Sequence, residues 1–137
     1  LKVMRLSNYA GLKTLEDSKA LIVDIRTNEE FKNGSHVSSV HYALSDMLRD
    51  WQLDSTGGYI MEALYRKAYE SNKMTVFNSI VLYCAGGYRS HIAASLLRSC
   101  LQFKERSVFD VAGGAFQLMT QRPDMWHVKD RSIICIS

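Results

Sequence analysis

Three short apolar runs, Ala20 to Ile25, Ser79 to Tyr83 and Ser107 to Val111, each give way to polar residues. They are too short for helices and carry apolar side chains on both faces of an extended chain, so they read as buried strands. Between and after them lie stretches that suit helix: Ser7 to Glu16, Asn28 to Lys32, Gly58 to Ser71, Ser90 to Leu101 and Gly114 to Gln121. In the third, Ile60, Ala63, Leu64, Lys67 and Ala68 fall on one side. Strand followed by helix, repeated, predicts an α/β fold with a parallel central sheet of about five strands and helices on both faces. Val40 to Tyr42 supplies a further short strand and Lys2 to Arg5 one at the edge. In such sheets ligands bind beyond the carboxyl ends of the strands, where the strand-to-helix loops open.

At 137 residues and 47% hydrophobic, the chain suits a single domain, 1–137, with its own core. Its net charge of +3 comes from scattered residues with no basic run, which argues against a nucleic-acid partner. No apolar stretch is long enough to span a membrane, and Leu1 to Ala10 lacks the pattern of a signal peptide. Cys84, Cys100 and Cys135 are odd in number and contain no C-x-x-C pair, against both a disulfide framework and a zinc site. A reducing compartment fits, the cytoplasm first. Because the chain opens on Leu1, a periplasmic or organellar setting stays open should a leader have been removed. His36, His41, His91 and His127 have no metal-ligand spacing, and neither a dinucleotide fingerprint nor a phosphate loop with lysine is present, so no cofactor or metal is expected. Oligomeric state is not legible.

Cys84 follows the Ser79 to Tyr83 strand and precedes Ala85-Gly86-Gly87-Tyr88-Arg89-Ser90, from which a helix departs. A helix starting just beyond a thiol aims unpaired N–H groups and positive dipole at the sulfur and favours thiolate, the nucleophilic form. Glycines let successive amides converge into an anion nest, Arg89 can grip an oxyanion through two parallel hydrogen bonds, and Ser90 suits the helix N-cap. Cys84 is therefore the candidate catalytic residue, with Ala85, Gly86, Gly87, Tyr88 and Arg89 as candidate substrate-binding residues. Cys100, in register with Ala93, Leu96 and Leu97, reads as core. Trp51, Trp126, Tyr59, Tyr65 and Tyr69 read as core or interface.

This loop resembles the active-site loop of rhodanese-like domains, and other stretches resemble the same family in the same order. Leu21 to Phe31 is similar to its strand ending in Asp-x-Arg followed by Glu-Phe. Gly34 to Val40 resembles its Gly-His-Ile-Pro-Gly-Ala segment, with Ser38 and Ser39 in place of Pro-Gly, and Val108 to Gly114 its strand ending in Gly-Gly. Ala112 and Leu118 depart from residue types frequent in the family. The resemblance covers about Ser7 to Gln121 and leaves 48–78 as an enlarged connecting segment that covers the loop or carries a partner site. The tail is 122–137, its apolar end, 131–137, packing on the domain or on another chain.

The resemblance implies a sulfurtransferase that moves a sulfane sulfur from thiosulfate or a persulfide to a thiol, cyanide or a protein acceptor through a Cys84 persulfide. Four residues between Cys84 and Arg89 match that branch; the phosphatase and arsenate-reductase branch has five. A regulatory, protein-binding module is the alternative from another class. Asp24 and Arg26 lie near the same sheet edge; a structural role comes first for both, through neighbours or Glu30, and Arg26 is also carried as a candidate substrate contact. Tyr88 either lines the pocket mouth or is exposed, His91 either modulates Cys84 or is solvated, and Cys135 is a remote candidate to resolve the persulfide.

Overall fold

The computed structural model describes residues 3–6 and 9–128. The elements run β1 (Val3–Leu6), α1 (Tyr9–Asp17), β2 (Leu21–Asp24), α2 (Asn28–Asn33), β3 (Ser35–His36), β4 (Ser39–His41), α3 (Leu44–Leu53), α4 (Gly58–Asn72), β5 (Ser79–Tyr83), α5 (Tyr88–Ser99), β6 (Ser107–Val111), α6 (Gly114–Gln121) and β7 (Trp126–His127). Five strands form one parallel sheet in the order β1-β6-β5-β2-β4, with β1 at the edge as expected, and β3 and β7 form a separate antiparallel pair.

Side chains of a strand alternate between the two faces, and the core divides accordingly. Leu21, Val23, Ile25, Ile80, Leu82 and Val108 pack with residues of α3, α4 and α5. Ile22, Val81, Tyr83, Phe109 and Val111 face the other way, onto Leu12 of α1 and Leu118 of α6. Strands covered on both faces have no polar side to offer water, which is why they appear in the sequence as largely apolar runs, broken by the buried Asp24 and Asp110 near their carboxyl ends. Each fully buried Leu, Ile or Val adds about 1.5–3 kcal/mol relative to its exposed form.

The connecting segment is part of this core. Ile60, Met61, Ala63, Leu64 and Ala68 of α4 are buried with Phe77, and Trp51, Tyr65 and Met74 pack against them. Arg106 fastens its far end, donating to the Phe77 carbonyl at 2.8 Å and to the Tyr65 hydroxyl at 2.8 Å. Among the five aromatic residues assigned to core or interface, Trp51 and Tyr65 pack on the core, whereas Tyr59 and Tyr69 are exposed. Cys100 is fully buried with Ala93 and Leu97. The beginning of the tail also packs on the domain: β7 pairs with β3, and the Trp126 ring meets Tyr83 edge-on, centroids 6.1 Å apart. Cys135 and the remaining tail residues 131–137 lie outside the described residues.

Two boundaries differ from expectation at the functional end. Helix α5 starts at Tyr88 with Gly87 as its N-cap, so Ser90 is within the first turn and is not the cap. Gly87 has φ of 106°, a left-handed conformation that glycine adopts without a Cβ penalty, and this brings the helix start closer to the sulfur. The helix also ends at Ser99, after which Leu101–Phe103 tightens into a single 3-10 turn.

Candidate active site

The carboxyl ends of β2, β5 and β6 are aligned by register, Asp24 opposite Tyr83 and Leu82 opposite Asp110, so the loops that follow open on one edge of the sheet. Cys84 is the first residue after β5 and is 1% exposed. Its Sγ accepts the N–H of Gly87 at 3.1 Å and the N–H of Ser90 at 3.3 Å, and the Ser90 hydroxyl lies 3.5 Å away. Burial alone would raise the thiol pKa. The Ser90 hydroxyl and the amides of Ser90, Gly87 and Arg89 oppose it and prevail, holding Cys84 below the ordinary thiol value.

The back of the loop is fastened by α6. The N–H of Ala115 donates to the Cys84 carbonyl at 2.7 Å and that of Phe116 to the Ala85 carbonyl at 3.3 Å. Peptide N–H and C=O point in opposite directions across a trans bond. Turning those two carbonyls into α6 therefore turns the N–H groups of Ala85 and Gly86 away from it. Gly114, with φ of 56°, makes this approach feasible: a Cβ there would lie 2.3 Å from the Cys84 oxygen.

Arg89 differs from expectation. Its two terminal nitrogens are held by Glu30, Nη1 to Oε1 at 2.9 Å and Nη2 to Oε2 at 3.1 Å, so the paired hydrogen bonds foreseen for an oxyanion go to a carboxylate of the protein. Glu30 is fixed in turn by a capping box, accepting from the Thr27 N–H at 3.0 Å while its own N–H donates to Thr27 Oγ1 at 3.2 Å. The Arg89 hydrogen bond chiefly lowers the Glu30 pKa to about 2. Glu30 likewise raises that of Arg89, with the Cys84 sulfur adding to it. Sequence reasoning gave Glu30 to the Asp24 and Arg26 neighbourhood and missed this pair; the Thr27-x-x-Glu30 spacing was the available signal.

Arg26 is turned elsewhere. Its Nη2 donates to Asp24 Oδ2 at 2.7 Å and to the Gly34 carbonyl at 2.6 Å, and its guanidinium lies 5.7 Å from the Tyr83 ring centroid and 5.1 Å from that of Trp126. A buried ion pair is tolerable only when its charges are closely matched, and here Nε and Nη2 both donate to the Asp24 carboxylate. Arg26 thus ties the turn after β2 to the β3–β7 pair, and the candidate substrate contact is not among its interactions. Ala85 and Gly86 form the outer part of the loop, Gly86 exposed with open space where a Cβ would stand. Tyr88 is 87% exposed. His91, half-exposed in the first turn of α5, has Nδ1 3.7 Å from the buried carboxylate of Asp110. Among the described residues no group of His, Cys, Asp and Glu is arranged to hold a metal, and no helix is long and apolar enough to cross a membrane.

Residues 9–120 match the rhodanese-like domain. The chain belongs to that family. No curated protein matches it in sequence. Among solved structures, it is similar to Saccharomyces cerevisiae Ygr203w, described as a homolog of single-domain rhodanese and the Cdc25 phosphatase catalytic domain, with 19% identity, TM-score 0.63, and coverage of 89% of this chain and 83% of that one. A second structure of Ygr203w, described as a yeast protein tyrosine phosphatase of the rhodanese family, aligns with 18% identity and TM-score 0.62 over 96% of this chain and 92% of that one. The human single-domain sulfurtransferase TSTD1 aligns with 19% identity and TM-score 0.60 over 88% of this chain and 97% of that one. At these identities the likeness is one of fold, and the rhodanese-like arrangement of a parallel sheet with helices on both faces is common to all.

Proposed function

We propose that the protein is a sulfurtransferase in which Cys84 carries the sulfur. The observation that supports this most directly is a sulfur receiving main-chain N–H groups from both Gly87 and Ser90 in a loop with four residues between Cys84 and Arg89. Such a nest is small, and it suits a single added sulfur better than a phosphate with three outward oxygens.

In the first half-reaction the Cys84 thiolate attacks the outer sulfur of thiosulfate. A new S–S bond forms, the donor S–S bond breaks, and sulfite leaves with the electron pair. The terminal sulfur of the resulting persulfide is anionic, and the loop amides, with the Arg89 charge beside them, stabilise it without reorganising. In the second half-reaction a thiolate or cyanide attacks that sulfur, and Cys84 departs as thiolate. Its lowered pKa makes it a good leaving group as well as an ionised nucleophile, so no separate general base is needed.

Intact-mass measurement after thiosulfate treatment tests the reading. We expect one added sulfur on the wild type, its loss on adding cyanide, and none on Cys84→Ser, which keeps its fold. Hydrolysis of an aryl phosphate faster than sulfur transfer would replace this reading with the phosphatase one, and a wild type that takes up no sulfur would leave a protein-binding module.

A further inference from the structure

Arg89 forms part of the wall of a second feature that the loop chemistry does not use. A cavity of about 720 Å3 opens beyond the ends of β2 and β4, between Ile25, Leu44, Leu48, Asp46, Lys67 and Arg89. Volumes of this order hold organic ligands of many heavy atoms, whereas thiosulfate and cyanide are a few atoms each and would leave most of it vacant. Its walls are mixed. Ile25, Leu44 and Leu48 offer an apolar side, and two cations, Arg89 and Lys67, stand on the polar one.

Their circumstances differ. Arg89 is matched by Glu30. Lys67 comes from α4 in the connecting segment, and its Nζ sits 5.4 Å from the centroid of the Tyr42 ring. Among the described residues no carboxylate is within ion-pair distance of it. The carboxylate that shares the cavity wall, Asp46, lies 3.4 Å from Arg49. Burial also disfavours the charged form of Lys67 and pulls its pKa down, with Arg66 adding to the effect; Asp46, Glu70 and Asp50, none of them in ion-pair contact with it, act in the opposite direction and do not reverse it. An ammonium partly removed from water beside an apolar wall is completed by an anion from outside.

We propose that this cavity binds the body of the sulfur acceptor, an organic thiol of many heavy atoms carrying a carboxylate that pairs with Lys67 while its sulfur points past Arg89 towards the loop. The inference rests on the sulfur-transfer reading above. The acceptor thiolate attacks the terminal sulfur of the Cys84 persulfide, the Cys84–sulfur bond breaks, its electron pair returns to Cys84 as thiolate, and the acceptor leaves as a persulfide.

The test uses thiosulfate as donor and two short acceptors that differ in charge, 3-mercaptopropionate and cysteamine, with cyanide as a third. Because the intrinsic reactivities of the thiols differ, the quantity read is the ratio of kcat/KM for the carboxylate thiol to that for the amine thiol, compared between variants. We expect this ratio to fall roughly tenfold in Lys67→Met, which keeps an unbranched stem over Tyr42, and to be retained in Lys67→Arg. A ratio that Lys67→Met leaves in place, or that Lys67→Arg loses equally, overturns the proposal. Cyanide separates the two levels: turnover with cyanide alongside a charge-blind ratio removes only the acceptor assignment. No turnover with any acceptor, and no sulfur on Cys84, removes both.

Discussion

Cys84 is almost fully enclosed, yet its sulfur is the acceptor in two main-chain hydrogen bonds, and that combination decides its chemistry. A thiol in an apolar enclosure stays protonated; the amides of Gly87 and Ser90 reverse the balance because hydrogen bonds to a charged acceptor are each worth about 1.5–3 kcal/mol. The Ser90 hydroxyl, at 3.5 Å, is the component a side-chain change can remove. Ser90→Ala is expected to raise the Cys84 pKa, because the largest of the groups opposing burial is removed. The pH dependence of alkylation at Cys84, followed by peptide mass, reads this directly, and an unshifted curve would discount the hydroxyl. Since the thiolate is the reactive form, sulfur uptake should hold as pH falls below the ordinary thiol range and fade only below the lowered value. At this scale the nucleophile and its glycines were legible because they are contiguous in sequence. The Glu30–Arg89 pair was not, as its partners are 59 residues apart and only the packing of α2 against the loop brings them together. For Arg26 the structural role placed first is the one its interactions show, although its partners beyond Asp24, the Gly34 carbonyl and the Tyr83 and Trp126 rings, were not legible, since proximity to the sheet edge does not say which way a long side chain turns.

Elements, more than single residues, shape the loop. Helix α6 holds the Cys84 and Ala85 carbonyls through its first-turn N–H groups, and this depends on Gly114 being close enough to touch them. Gly114→Ala would put a methyl group against the Cys84 oxygen in a left-handed backbone conformation. We expect a loss of roughly 2–3 kcal/mol in urea unfolding and, in the protein that remains folded, slower sulfur uptake, because the carbonyls no longer fix the direction of the loop amides. A variant with wild-type stability and rate would show that the α6 contact is incidental. Strands β5 and β6 and helix α6 occur at the bounds their sequence periodicity predicts, because their apolar faces are continuous and their ends carry glycine or polar residues. Helix α3 was not foreseen. Leu44, Met47, Leu48 and Trp51 have helical spacing, but Ala43 at its N-cap offers no capping side chain to mark a start. The α5 boundary was displaced for the converse reason: Ser90 looked like a cap, while the cap is a glycine whose contribution is conformational. Strands β3 and β7 are two residues each, too short for any period to register.

At the scale of the whole molecule, the small β3–β7 pair is joined to the main sheet through groups that water does not reach. The Tyr83 hydroxyl accepts the His36 N–H at 3.0 Å and lies 3.2 Å from Ser39 Oγ, to which it donates. The His36 ring, 1% exposed, accepts the Ser38 N–H on Nδ1 at 3.1 Å. A ring that accepts on Nδ1 carries its proton on Nε2 and is neutral. Burial holds its pKa below the ordinary histidine value of 6.5, and the nearby Glu16 carboxylate, which acts in the opposite direction, does not reverse this. The folded state therefore binds fewer protons than the unfolded state as pH falls from 6.5 towards the lower folded value. Stability from this group is complete above pH 6.5 and is lost on acidification, with a slope of at most about 1.4 kcal/mol per pH unit. In a Cys84→Ser background, which removes the thiol's own titration, urea midpoints should decline from about pH 7 to about pH 5, before most carboxylates titrate. In His36→Asn, which cannot take up a proton, the overall stability should be lower but its decline over that interval should flatten. Equal slopes in the two proteins would assign the acid sensitivity to some other group and leave His36 a purely structural link between the two sheets.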